Sequence, residues 1–522
     1  MSDAKMITPE TAAEEKLIAE LGMPERIVFG GGDLPTQGDD ERTIRAEVIR
    51  DLLLGECGAL HSKGLRLRGA YISGALDLQG GRCERDLTLS QCVVHGEINL
   101  VNSQMRGLYI SGSQIGSIAA DNARFEGSVY LRNKTSIDGE ISLAGARISG
   151  DLQLVDASIH SKRHDAIFAP SLRVEGSVFL GNYPYSDGVS TLTATGLLFF
   201  SSARVEHDFF MTNTALELPD NGLGTPVFGA SEEHGRDMVL SLARARIGGI
   251  LYFADNQITS GIVNLAGAAV ERLRDEPWGP GATYPIRLDG FRYTDFSRHT
   301  VTDVKARLGW LDRRPPDTPF TAQPYEHLAG VLIALGNRND ARTVLMAKER
   351  QLRRAYRDEL AERGASYSRR IGAAILDRLM NWTIGYGYRP GRSVVVALVL
   401  ILGLGLFFER TWQAGDMTPN SAPVLVSANW IAATKDHPEN PGKYWSSTGQ
   451  AGQDWETFNS FAYATDLVIP LVSLGQESAW APSTSRSPLG KIGWWARWGA
   501  KGIGWIVTAL GAAAITGVIR KE

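Results

Sequence analysis

From Gly64 onward the apolar positions recur in a fixed figure: two residues two apart, then a third five later. The series runs Leu65, Leu67, Ile72; Leu76, Leu78, Cys83; Leu87, Leu89, Val94; Ile98, Leu100, Met105; Leu108, Ile110, Ile115. It can be written G-x-φ-x-φ-x-x-small-x-φ, and it returns about every eleven residues. The φ-x-φ part predicts a short strand with alternate side chains on one side. The small residue two before the last φ (Ala70, Gly81, Cys92, Ser103, Ser113, Ala123, Ala146, Ala157) predicts a corner where a larger side chain would strike the next turn of chain. The glycine that often precedes the strand, as at Gly74 and Gly96, suits a corner with unusual backbone angles.

The figure returns after interruptions at Val178 and Leu180, at Leu198, Phe200 and Val205, and from Leu240 to Tyr293. Roughly sixteen units paired into coils of about twenty-one residues predict about eight coils over 60–298, a column about 40 Å long at ordinary strand spacing. The spacing resembles the pentapeptide-repeat family, and that resemblance implies a right-handed quadrilateral β-helix. The expected fold class is therefore a mainly β solenoid, followed by an α-helical hairpin and a C-terminal transmembrane helical region. A leucine-rich horseshoe fits the coil length but not the half-period, and no asparagine recurs at a fixed place.

Residues 1–59 read as a polar arm and a cap. EEKLIAELG is a short amphipathic helix, GGGDLPTQGDD (30–40) a loop, and RTIRAEVIRDLLLGE (42–56) a strong amphipathic helix that would cover the open end of the column. HSKRHDAIFAP (160–170), 215–237 and 271–284 read as excursions from the wall, and loops on a rigid scaffold are where binding surfaces sit. His160 and His164 would ligate a metal only on a helix, which Pro170 discourages. From 299 to 385 the period becomes helical. A Pro-rich linker, RRPPDTPFTAQP, leads into an α-hairpin (324–364) with its turn at Gly336–Asn339. That hairpin resembles one tetratricopeptide unit, and its second helix is rich in arginine.

Residues 386–522 read as a membrane domain. SVVVALVLILGLGLFF carries no charge and follows Arg389 and Arg392, which predicts a span over about 393–412 with its N-terminal side in the cytoplasm. IGWIVTALGAAAITGVI predicts a second span at 503–519, ending in Arg520 and Lys521. Ten of the twelve tryptophans follow residue 380, as an interfacial belt would place them. Between the spans, 458–476 reads as an interfacial or re-entrant segment, because Asp466 and Pro470 interrupt its apolar run; a third crossing there is the alternative. Ala509, Ala513 and Gly517, four apart, offer a small face for helix packing and self-association.

The order of span, short segment and span resembles the two-helix, one-pore-loop channel family. That resemblance implies a pore loop at Asp466, Pro470, Ser473, Gly475 and Gln476 and a closed homo-oligomer. TIGYG (383–387) looks like a potassium-filter signature but stands before the first span, so it reads as an elbow entering the membrane. RTIRAEVIRDLLLG, the coils, NWTIGYGYRPGR and DLVIPLVSLGQESAW together resemble a bacterial family of membrane-bound, pentapeptide-like proteins. Some members carry the label membrane-associated oxidoreductase.

No residues here support that activity. A strand–GxGxxG–helix unit, CxxCH, GxSxG, HExxH and a Walker loop are all missing from the sequence. No catalytic, cofactor-binding or metal-ligating residue is expected, and no cofactor. The formal net charge of −4 gives no reason to expect nucleic acid. Cys57, Cys83 and Cys92 form no CxxC, and the last two fall on repeat positions, so they read as reduced structural residues in a cytoplasmic setting. The polar first twenty residues carry no secretory signal. The expectation is a multi-pass inner-membrane protein with a cytoplasmic recognition surface, its partners being the bilayer, an unidentified protein and a second copy of itself.

Overall fold

The computed structural model describes residues 7–185, 188–219, 237–276, 283–316 and 318–516, without the side chains of 162–164. The chain divides into two compact units, Met1–Val344 and Leu345–Glu522.

Among the described residues of the first unit 29 strands form one sheet, and six of its strands close into a parallel barrel. Buried positions stack on buried positions from one turn of chain to the next. Leu89 lies beside Ile110, Ile110 beside Leu131, Leu131 beside Leu154, Leu154 beside Leu180, Leu180 beside Met211 and Met211 beside Phe253. Every member of that row is at most 5% exposed. Each such side chain contributes about 2 kcal/mol by leaving water.

The turns that close the sheet are set by a second row. Asn102, Asn122, Ser171, Ser202 and Arg244 all have φ between 55° and 60°, and Gly80 and Gly145 are left-handed too, at 66–67°. Each is the third residue of a tight turn: Ser103 N–H donates to Leu100 O, Ala123 N–H to Ala120 O, and Ala203 N–H to Phe200 O. A turn with a left-handed third residue favours Gly and Asn there. The next residue is small and buried at Ser103, Ala123, Ala146 and Ala203, as the sequence figure requires.

The expected fold class is corrected by this sheet. A quadrilateral pentapeptide-type β-helix needs walls of equal length and a repeat without drift. Here strands run from 2 residues at Arg82–Cys83 to 17 at Leu152–Phe168. Leu87 pairs with Leu108, but Phe209 pairs with Leu251, so the length of chain per turn is not constant. Register shifts interrupt several pairings, as between Arg132 and Thr135. The molecule is a closed parallel sheet joined to thirteen α-helices among the described residues, and so is not mainly β. Parallel pairing needs apolar positions to align on neighbouring strands; it does not need their spacing along the chain to be constant. The segment 160–170 shows this. Read as a solvated loop, most of it continues the strand Leu152–Phe168, which pairs with Leu192–Phe199 across two register shifts.

Both ends of the sheet are closed by charged clasps. At the start, Thr43–Arg45 is a strand and the helix is shorter than expected, Ala46–Leu53, burying Val48, Ile49, Leu52 and Leu53. Beside it the helix Ala12–Glu20 sends Glu14, fully buried, to Arg45: its carboxylate accepts from Arg45 N at 3.0 Å, Nε at 2.9 Å and Nη2 at 2.8 Å. At the far end the helix Val304–Asp312 packs through Arg307 and Trp310. Next come the helix Gln323–Ala334, a turn with Gly336 at φ 85°, and the helix Arg338–Glu362, on which the division between the units falls. Cys83 and Cys92 are free and buried, and burial pushes both thiols up to about 11.

The second unit continues with the helix Tyr367–Thr383 and a 3-10 turn at Gly385–Gly387, where Tyr386 is left-handed at φ 57°. Tyr386 donates its hydroxyl to Asp377 Oδ1 at 2.8 Å, and Arg357 pairs with the same carboxylate. TIGYG is thus an elbow tied back to the preceding helix.

Candidate functional site between the two apolar helices

Two helices of the second unit are long and apolar enough to cross a membrane, Gly391–Gln413 and Pro488–Ile515. The second begins well before the expected 503 because Ser487 caps it, accepting from Leu489 N, and Pro488 opens its first turn. Between them lie the strands Met417–Pro419 and Trp480–Pro482, paired antiparallel, and the short helix Ser460–Val468.

Glycines let the three helices approach closely. A Cβ on Gly405 would lie 2.5 Å from the Phe461 ring, and one on Gly504 would lie 2.4 Å from Val468 O. A Cβ on Gly511 would lie 2.7 Å from Ser393 Oγ. The space enclosed is filled by Phe408, Met417, Tyr463, Leu467 and Trp480, all fully buried. Phe408 and Tyr463 meet edge to face at 4.8 Å, and Trp412 and Trp480 at 5.0 Å.

The loop after the short helix is held by its polar residues. Asp466, 7% exposed, accepts from Leu474 N at 2.5 Å through Oδ1 and from Glu477 N at 3.1 Å through Oδ2. Gln476, 3% exposed, accepts from Asn459 N at 2.9 Å and donates to Thr457 O at 2.8 Å and Glu456 Oε1 at 3.1 Å. Gly475 has φ 82°, which reverses the chain into the turn of helix Gln476–Ala479. Glu477 pairs with Arg497 at 2.8 Å and Lys501 at 2.5 Å, fixing the loop to the second apolar helix. Pro470 is half-buried, and Ser473 is exposed with Leu471, Val472 and Leu474.

The five loop residues singled out in the sequence thus fall on one structural feature. Asp466, Gly475 and Gln476 shape it, while Pro470 and Ser473 lie along its outer turn. On the second apolar helix Ala509 is exposed and Ala513 half-buried; Gly517 lies outside the described residues. The face covered within the chain is a different one: Gly490, Gly493, Ala500, Gly504, Val507, Gly511 and Ala514. From Ala500 on, its steps of four and three, small residues apart from Val507, were available in the sequence as a heptad.

Among the described residues no group of three or more His, Cys, Asp or Glu side chains is placed to hold a metal ion. No protein-family model matches the chain, and neither a curated protein nor a solved structure matches it.

Proposed function

We propose that the chain is a membrane-anchored, non-enzymatic protein whose parallel-sheet unit is a scaffold or recognition surface. The observation that carries this reading is the stripe Val394, Val395, Leu398, Val399, Leu402 and Leu406, each 55–64% exposed along one helix. A stripe of that size has no place in water and is at home in hydrocarbon. The second apolar helix adds Trp495, Trp498 and Trp505, exposed as interfacial anchors are. Arg389 and Arg392 before the first helix favour a cytoplasmic N-terminal side, and with it a sheet unit in the cytoplasm beneath the inner membrane.

Fractionation and capture test the reading. The full chain should stay with membranes through carbonate washing, and reconstituted chain should retain a specific protein from a cytoplasmic extract. Release by carbonate removes the anchor; no retained protein removes the recognition role.

A second reading is an oligomeric, channel-like protein. It is supported by the carboxylate-held loop between two apolar helices, with Leu471 79% and Leu474 49% exposed at its outer turn. A closed symmetric oligomer would cover such a surface. Conductance of reconstituted protein, altered by changes at Ser473, is the expected result; a monomer in mild detergent with silent bilayers excludes it.

A further inference from the structure

One wall of the sheet unit carries an outward-facing arginine on nearly every turn of chain. Register places Arg124 beside Arg147, Arg147 beside Arg173, Arg173 beside Arg204, and Arg204 beside Arg246. Ala269 breaks the row, and Arg292 resumes it. Two residues on, a second outward row is mostly acidic, with two small residues: Glu126, Ser149, Glu175, Glu206, Gly248 and Glu271. Gly248 in the acidic row and Ala269 in the arginine row put two small side chains on adjacent turns. A cavity of about 660 Å³ opens there, walled by Arg204, Arg246 and Arg292 and, from the helix Gln323–Ala334, by His327.

We propose that this cavity binds a small anion bearing two or more phosphate or carboxylate groups. Three features support it. Among the described residues the guanidinium groups of Arg204, Arg246 and Arg292 make no hydrogen bond or ion pair, although Glu206 and Glu271 line the same cavity. Neighbouring strands lie about 4.8 Å apart, so the flanking arginines stand about 5 and 10 Å from Arg246, within reach of one multiply charged ligand. Gly248 removes the acid that accompanies the arginine on neighbouring turns, leaving Arg246 with no carboxylate on its own strand. A guanidinium fork matches phosphate and carboxylate oxygens in pairs. Glu206 and Glu271 would accept from hydroxyl or amine groups on the same ligand, which favours a small polar metabolite over a bare polymer of phosphates.

His327 is part of the wall for a structural reason. Its Nε2 lies 2.9 Å from Tyr293 N and 3.0 Å from Tyr293 O, so the ring bonds to the Tyr293 backbone in either tautomer. That bond fixes the helix wall against the strand Arg292–Phe296.

Calorimetric titration of the full chain in detergent with inorganic pyrophosphate tests the proposal, with citrate as a second arm at matched ionic strength. Gln104 already occupies the same row as the arginines, so Arg→Gln is compatible with the wall. Saturable binding of one equivalent is expected, weakened at least tenfold by Arg246→Gln and by Ala269→Glu, and unchanged by Arg124→Gln outside the cavity. A preference for pyrophosphate or for citrate identifies the anionic group. No saturable binding of either probe at millimolar concentration overturns the proposal, as does equal loss in Arg246→Gln and Arg124→Gln.

Discussion

Arg307 meets Asp275 through both guanidinium nitrogens, Nη1 to Oδ2 at 2.9 Å and Nη2 to Oδ1 at 2.6 Å, and neither side chain is more than 5% exposed. Nε donates to Val301 O at 2.8 Å, and the rings of Phe296 and Trp310 lie against the guanidinium at 4.5 and 5.2 Å. The pair fastens the helix Val304–Asp312 to the end of the strand Ala269–Asp275, whose last two residues run past its pairing with Arg292–Phe296. Removing one partner leaves a buried charge alone, which costs about 3–5 kcal/mol. Arg307→Met should therefore lower the denaturation midpoint sharply. Arg307→Met with Asp275→Leu should recover most of it, because a buried ion pair is hard to distinguish in stability from a well-packed apolar pair. Urea unfolding of the three proteins checks both statements; a double variant no better than the single one would count against the account.

Glu14 and Arg45 at the opposite end predict a pH dependence. Burial alone would raise the Glu14 carboxyl, but hydrogen bonds from the Arg45 side chain and backbone hold it below its ordinary value of 4.5. A carboxylate depressed in the folded state stabilises fully above the unfolded value and loses that contribution as pH falls through the folded one. Glu14→Gln should thus cost about 2 kcal/mol near neutrality. The difference from the parent chain should shrink once pH drops below 4.5. Denaturant midpoints measured across that range supply the comparison. A gap that stays constant into acid would mean that Glu14 holds Arg45 by shape and not by charge.

The thiols give a third expectation. Burial holds Cys83 and Cys92 near 11, so at pH 8 only about one molecule in a thousand carries either thiolate. Iodoacetamide should leave both untouched in the folded protein and modify both in denaturant. Mass spectrometry after each treatment reads the result, and rapid labelling in the native state would show that the wall around Cys92 opens.

Much of the sheet could be read from the sequence because its interior obeys a simple rule. Leu65, Leu67, Leu87 and Leu89 are two apart on each strand and face one another across strands, and alternation reports that directly. The closure of the sheet is less legible. It depends on turns such as Leu100–Ser103, where Asn102 must be left-handed, and on Arg244, whose side chain gives no hint of φ 58°. Constant spacing suggested four equal walls; the long strand Leu152–Phe168 shows that inserted residues join a wall when they find a partner strand. The arginine row and the cavity at Gly248 and Ala269 were legible only in principle. Their residues are far apart in the chain, and register alone brings Arg204, Arg246 and Arg292 together. In the second unit the reverse holds. Asp466 and Gln476 attract notice as polar residues in an apolar run, yet their partners Leu474 N, Glu477 N and Asn459 N are backbone groups that no side-chain pattern announces.

The loop those two residues hold makes the last prediction. Asp466 accepts two backbone N–H groups, one on each oxygen. Asn at that position keeps one acceptor and turns an amide N–H₂ toward the other donor, so one buried bond is lost and two N–H groups are left pointing at each other. The cost should be about 2 kcal/mol and local, since Gln476 and the Glu477 pairs with Arg497 and Lys501 still tie down the far side. Protease cleavage within 469–475 should therefore rise in Asp466→Asn while the tryptophan-rich core, with Trp480 fully buried, keeps its fluorescence. Gly504→Val makes the complementary test. Its side chain would meet Val468 O, a backbone atom that cannot turn aside, so the short helix as a whole must move away from the second apolar helix. That variant should disturb both the loop and the core, and a chain that tolerates it unchanged in detergent would show that the two helices do not touch there.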